Sequence, residues 1–254
     1  MTLHDEKKTI LEVRNLSKEF DGLKVIDDVS LSLLAGRRIG LIGPNGAGKT
    51  MLFNLITGVY PPTAGAICVN NQDITHVPAV KRVRHGIART FQNVRLLGHL
   101  TALENALLGQ HIRIPPWQAL RPIMVSRTNA WMRECLEGLE AAGLGQYADI
   151  QVRNLPFGTR KRIELVRAMM TRPQLLLLDE PAAGLNATET NAFKDQLDDV
   201  SKRGVTIFVI EHDMNFVSEF CDDLIAFNFG RKIAEGTPEQ VRMNAEVRQA
   251  YLGL

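Results

Sequence analysis

Gly43, Pro44, Asn45, Gly46, Ala47, Gly48, Lys49 and Thr50 follow the pattern G-x-x-x-x-G-K-[ST], which restricts the fold more than any other stretch of the chain. The glycines permit backbone angles that turn successive N–H groups toward one point, and a helix starting behind them adds its positive end. Lys49 has the reach for β- and γ-phosphates, and the Thr50 hydroxyl is a ligand for Mg²⁺. A random match in a chain of this length has a chance of roughly one in a hundred. Context separates this match from a glycine-rich turn: a short strand at residues 38–42 runs in, and a helix at 49–57 leaves and is stopped by Gly58. Together these imply a nucleoside-triphosphate site on an α/β scaffold.

The second half of such a site is expected at Leu175-Leu176-Leu177-Leu178-Asp179-Glu180. An apolar strand ending in Asp sets a carboxylate at the sheet edge beside the phosphate loop, suited to Mg²⁺ through water. Glu180, one residue on, is in position to polarise an attacking water as general base. On its own this run reads only as a strand end; paired with the loop it is specific.

The remaining pattern fits one large unit. Residues 10–13 and 25–33 read as strands flanking an Asp21-Gly22 turn, and a strand at 66–69 precedes an Asn70-Asn71 turn. From Thr101 the character becomes helical: Thr101 and Glu104 form a capping box, Pro115-Pro116 break that helix, and 127–142 resumes it. After Pro173 strands (175–179, 205–210, 224–229) alternate with helices (189–200, 214–221), and Pro238 opens a last helix at its first position. Buried strands alternating with helices imply a parallel sheet covered on both faces. The helical middle, about 93–160, reads as a subdomain between two core segments, about 10–92 and 161–236, with 237–254 as a helical tail.

Composition narrows the setting. The 254 residues are 45% apolar and 23% charged, ordinary globular values, and no apolar run approaches the ~20 residues a bilayer crossing takes. Residues 1–8 lack the apolar stretch of a signal peptide. Cys68, Cys135 and Cys221 are widely spaced with no CxxC pair, which argues against disulfide or zinc frameworks. A net charge of +2 gives no footprint for nucleic acid.

Further motifs make the chain resemble the ABC ATPases over about residues 10–236. Leu155, Pro156, Phe157, Gly158 and Thr159, preceding the basic residues Arg160 to Arg162, resemble the signature motif. Gln92 resembles the Q-loop glutamine, Ala183-Gly184-Leu185-Asn186 the D-loop, His212 the switch histidine, and Phe20 the aromatic residue that stacks on adenine. Residues 87–93, 181–186 and the ending from Gly236 are most similar to the paired ATPases of branched-chain amino acid importers, wording shared with importers of amides, urea or aromatic acids.

The resemblance implies a P-loop NTPase with an N-terminal antiparallel β subdomain and a helical subdomain. It also implies ATP hydrolysis with Mg²⁺ held by Thr50, Gln92 and Asp179. Glu180, His212 and Lys49 would be the catalytic residues. Expected partners are integral-membrane permease subunits, a second and different ATPase subunit in a head-to-tail dimer, and indirectly a solute-binding protein, with this chain itself peripheral at the cytoplasmic membrane face. In that dimer the signature of one chain covers the ATP of the other. Two alternatives remain at this level: a non-hydrolytic ATP-binding regulator, and a soluble ABC ATPase acting on nucleic acid or ribosomes.

Two positions depart from the family pattern. Pro156 stands where a serine normally offers its hydroxyl and N–H to the opposed ATP, with Thr159 in place of glutamine. Met51 replaces a hydroxyl residue that contacts the α-phosphate of the chain's own ATP, a loss of about 1.5–3 kcal/mol at most. The segment 112–121, with Pro115, Pro116 and Trp117, is either a contact for membrane subunits or a surface loop with its Trp packed inward.

Overall fold

The computed structural model describes residues 8–113 and 130–252. β1 (Thr9–Phe20) and β2 (Leu23–Leu34) form an antiparallel hairpin about Asp21-Gly22. Both turn residues have positive φ, 47° and 86°, the mirror-image turn whose twist matches its strands and which Asp-Gly adopts readily. β3 (Arg38–Ile42) then leaves for a second sheet, and α1 (Lys49–Ile56) follows it. β4 (Ala64–Val69) returns to pair with β1, and β5 (Gln72–Asp73) pairs with β4 across Asn70-Asn71. The first sheet is thus four-stranded and antiparallel, in the order β2-β1-β4-β5.

The second sheet has six strands in the order β10-β9-β3-β8-β7-β6. They are β6 (Ile87–Arg89), β7 (Leu175–Asp179), β8 (Thr206–Ile210), β9 (Asp223–Asn228) and β10 (Arg231–Gly236) with β3. All neighbours are parallel except β10, which returns antiparallel on β9 through Phe229-Gly230. Alternate residues of the parallel strands face opposite ways into two cores. Leu41, Leu177, Phe208 and Phe227 pack with α1 and the antiparallel sheet. Ile42, Leu178, Val209 and Ala226 pack instead against the helices of the other face. Those helices are α5 (Phe157–Met169), α6 (Ala187–Lys202) and α7 (Met214–Phe220).

A third core lies away from the sheet. α3 (Ala102–Leu108) and α4 (Ala130–Ala141) bury Ala106, Cys135 and Leu139 against Ile163, Val166 and Met170. α5 therefore serves two cores, since its Leu165 and Ala168 belong to the sheet side. The Thr101–Glu104 capping box forms in both directions. Arg82, at the end of α2 (Ala79–Arg82), is buried and donates to the carbonyls of Leu55 and Ile56. It thereby adds a donor to two carbonyls at the end of α1, of which that of Leu55 also accepts from the Gly58 N–H.

Two features differ from the sequence expectation. The sheet is mixed, because residues 231–236 form an edge strand whose half-exposed, charged sequence has no clean alternation. The tail holds two helices, α8 (Pro238–Met243) and α9 (Ala245–Leu252), separated by Asn244, whose side chain accepts from the N–H groups of Glu246 and Val247. The segment containing Pro115, Pro116 and Trp117 and the start of the expected 127–142 helix lie outside the described residues.

Strand register aligns the carboxyl ends. Asp179 of β7 pairs with Ile210 of β8, and Ile210 with Leu41 of β3. The residues just beyond (Glu180, Glu211-His212 and Gly43) therefore emerge side by side at one sheet edge, where open α/β sheets hold their ligands.

Candidate functional site

The loop between β3 and α1 is shaped by glycines. Gly48 has φ 98°, and a Cβ there would lie 2.9 Å from the Val25 carbonyl oxygen. At Gly43 the Cβ would meet the Phe227 oxygen at 2.3 Å. The β9–β10 turn braces the loop from outside: the Gly230 N–H donates to the Ala47 carbonyl at 3.0 Å. Lys49 is buried, and its Nζ donates to the carbonyls of Gly43 and Pro44 at 2.6 and 2.9 Å. Burial pushes the Lys49 pKa down, while the nearby carboxylates of Glu180 and Asp179 pull it up.

Residues 45–51 of this loop, with Val25, Glu180 and His212, line one cleft of about 240 Å³. Glu180 sits at φ 49°, a left-handed conformation that costs a non-glycine residue about 1–3 kcal/mol and clusters at functional sites. Its backbone N–H donates to the Ile210 carbonyl. Its carboxylate is held from two sides: Oε1 lies 2.5 Å from His212 Nε2, and Oε2 accepts from Gln92 Nε2 at 2.7 Å. With Glu180 ionised, the His212 proton resides on Nε2. A carboxylate oriented in this way beside a lysine-bearing anion loop can take a proton from a water attacking a bound phosphate.

Asp179 lies beneath this layer, 5% exposed. Burial raises its pKa, and the Arg89 guanidinium, donating to Oδ2 at 2.8 Å, opposes that shift. Gln92 thus touches Glu180, and Arg89, three residues before it, touches Asp179. Met51 lines the cleft and also packs against the first core, so an apolar side chain at this position has an apolar neighbour.

The segment 155–159 lies apart from the cleft. Leu155 is buried, Phe157 is 38% exposed, and α5 starts at Phe157 with Pro156 as N-cap and no side-chain cap bond. A Cβ at Gly158 would fall 2.5 Å from a Glu189 carboxylate oxygen, so a larger residue there would displace that side chain. Phe20 is also outside the cleft lining; its ring is 37% exposed, edge-on to Tyr60 at 5.6 Å, with Lys18 Nζ 4.6 Å from its centroid.

Three residues to which the sequence assigns no role of their own have structural partners here. Lys161 of α5 is buried, and its Nζ donates to the carbonyls of Glu180, Pro181 and Ala183 at 3.2, 2.8 and 2.8 Å. Buried Glu211 accepts from the N–H groups of Ala182 and His212. Burial raises its pKa, against the pull of those two donors. The loop 180–186 is thus fastened from above and below, and Asn186 then caps α6 in a box with Glu189. Arg89 is the third. Among sequence signals, only its place three residues before Gln92 marked it.

The ABC transporter family profile matches residues 26–183. This chain belongs to that family. A second profile, described as branched-chain amino acid ATP-binding cassette transporter, matches residues 231–253, which include β10, α8 and α9. The chain is 41% identical over 251 residues to a high-affinity branched-chain amino acid transport ATP-binding protein, BraF, of Pseudomonas aeruginosa, covering 97% of this chain and 98% of the relative. It is 39% identical over 256 residues to the corresponding Escherichia coli K12 protein, LivG, covering 96% and 98%. Among solved structures, the ADP conformation of an ATP-binding cassette of an ABC transporter superposes with a TM-score of 0.86 at 31% identity, covering 97% of this chain and 99% of that one.

As a member of the ABC family, the chain is a nucleotide-binding transport ATPase. Among its described residues no helix is long and apolar enough to cross a membrane.

Proposed function

We propose that this chain is the ATP-hydrolysing subunit of an ABC importer for branched-chain or related amino acids, docked on membrane permease subunits at their cytoplasmic face. The observation that carries the hydrolytic part is the single cleft shared by the phosphate loop, Glu180 and His212. The solute class follows the names of the relatives and the tail profile. Lys49 and the loop N–H groups hold the β- and γ-phosphates, Glu180 takes the water proton, and His212 with Gln92 fixes the carboxylate. Phe20 stacks on the adenine.

The residues present fit Mg²⁺. Among the described residues no group of three or more His, Cys, Asp or Glu is arranged to hold a metal alone. Mg²⁺ needs no such group, since it binds through one or two carboxylates plus substrate phosphates. Arg89 occupies Oδ2 of Asp179 and leaves Oδ1, and Thr50 is among the residues that line the cleft. Bound between Thr50, Asp179 and the Gln92 side of the cleft, the ion would neutralise phosphate charge.

The partner ATPase is proposed to be a different chain in head-to-tail contact, with residues 155–159 covering its ATP. Pro156 gives α5 no side-chain cap, which favours an asymmetric pair whose complete site is the one using Glu180. Uptake of labelled leucine by vesicles containing the assembled complex and internal ATP tests the whole reading. Lys49→Ala should abolish uptake. Undiminished uptake in that variant would overturn the energising role, and uptake of an amide or urea but no leucine would overturn the solute.

A further inference from the structure

Below the cleft lies a guanidinium that the proposed reaction does not use. The side chains of Arg89 and Asp179 are only 6% and 7% exposed. Arg89 Nη2 donates to Asp179 Oδ2 at 2.8 Å, while Nη1 donates to Asn54 Oδ1 at 2.7 Å and Thr57 Oγ1 at 3.2 Å. Asn54 lies in α1 and Thr57 caps its end. The guanidinium also lies 5.0 Å from the Phe91 ring centroid, and Arg95 sits 4.0 Å from the same ring. One side chain therefore ties together the phosphate-loop helix, the end of β7 and the residue preceding Gln92.

This arrangement is a poor device for stability. Arg89 Nε is buried with no hydrogen-bond partner, and burial pulls the guanidinium pKa down despite Asp179. Buried ion pairs repay their desolvation only with good geometry and complete hydrogen bonding. What the fork does supply is direction: with Oδ2 fixed, the Asp179 carboxylate cannot turn, and Oδ1 has one orientation relative to α1.

We infer that Arg89 is a positioning residue that aims the Asp179 carboxylate, and thereby sets how strongly Mg²⁺ tightens nucleotide binding. The inference rests on Asp179 being the Mg²⁺ carboxylate. Charge alone predicts the opposite sign, because removing a cation beside a metal site should strengthen metal binding. The two effects are therefore separable by experiment.

The test is the affinity of the full chain for a fluorescent ATP analogue, measured once with Mg²⁺ and once with EDTA. Arg89→Met should leave the EDTA affinity within about twofold and cut the Mg²⁺-dependent gain about tenfold, the lower end of what losing an outer-shell partner costs a metal site. Arg89→Lys should recover part of the gain, because an ammonium can hold Oδ2 but not Asn54 and Thr57 as well. Asn54→Ala should lose a smaller part. A gain that is unchanged or larger in Arg89→Met overturns the inference. If that variant does not fold, an unchanged gain in both Arg89→Lys and Asn54→Ala overturns it. A wild-type chain whose affinity ignores Mg²⁺ removes the Asp179 reading itself, and the inference with it.

Discussion

Glu180→Gln separates chemistry from binding, because its ground-state cost can be worked out from the contacts. The substitution keeps the size of the side chain and does not worsen the positive φ of 49°. A carboxamide has one oxygen where the carboxylate has two, so it can accept from Gln92 or from His212 but not from both. If the oxygen stays with Gln92, the new NH₂ faces His212 Nε2, which accepts once its proton moves to Nδ1. The loss is two charge-assisted bonds exchanged for neutral ones, about 2–3 kcal/mol. That loss falls on the local arrangement, and Lys49 and the loop amides proposed to hold nucleotide are untouched. Removing a positioned general base costs about 10²–10⁴ in rate, or about 2.7–5.5 kcal/mol in barrier.

Phosphate release by the assembled complex should therefore fall at least a hundredfold at this site, with nucleotide affinity within about threefold of wild type. Turnover within threefold of wild type would refute the assignment of Glu180 as base. Loss of binding together with turnover would refute the hydrogen-bond exchange argued for His212.

Three further outcomes follow from the same contacts. Gly43→Ala brings a Cβ to 2.3 Å from the Phe227 oxygen, which is backbone and cannot swing away, so thermal melting should show a loss of about 2 kcal/mol or more, as overpacking does. Burial pushes the thiols of Cys135 and Cys221 up to about 12, so alkylation at pH 8, counted by mass spectrometry, should label only Cys68 in the folded chain and all three after unfolding. Glu211 has a folded pKa above its unfolded one, so its stabilising contribution is present below the unfolded value and is lost as pH rises through the folded one. The melting temperature of Glu211→Gln minus that of wild type should accordingly grow from pH 4.5 to pH 8, and a flat or falling difference would contradict the assigned burial.

The elements easiest to read from the residues were those with a local cause. β3 and β7 are short apolar runs with bounds set by Gly43 and Glu180, and the structure gives them the same limits, Arg38–Ile42 and Leu175–Asp179. Capping residues at Thr101 and Thr237 likewise mark their helices. β10 escaped notice because an edge strand with one ladder partner does not need apolar alternation. In the site, the loop and the two acidic residues stood out because their chemistry needs particular side chains at fixed spacing. Arg89, Lys161 and Glu211 did not, because each reaches a group 20 to 90 residues away in sequence, and such pairings follow only from topology. Composition is silent on them, since a buried Arg and a surface Arg count alike.

The ammonium of Lys161 has three protons, and all three point at carbonyls of the Glu180–Ala183 loop. No slack is left in that joint. α5 begins at Phe157, within the signature motif, and Lys161 lies little more than one turn along the same rigid rod. A push on the start of the rod must either carry the Glu180 carbonyl with it or strip a buried cation of its acceptors. In the proposed head-to-tail pair the first residues of that rod would meet the other chain's nucleotide, while Glu180 would serve its own. Each chain would then be a lever with one nucleotide at either end and Lys161 as the pin.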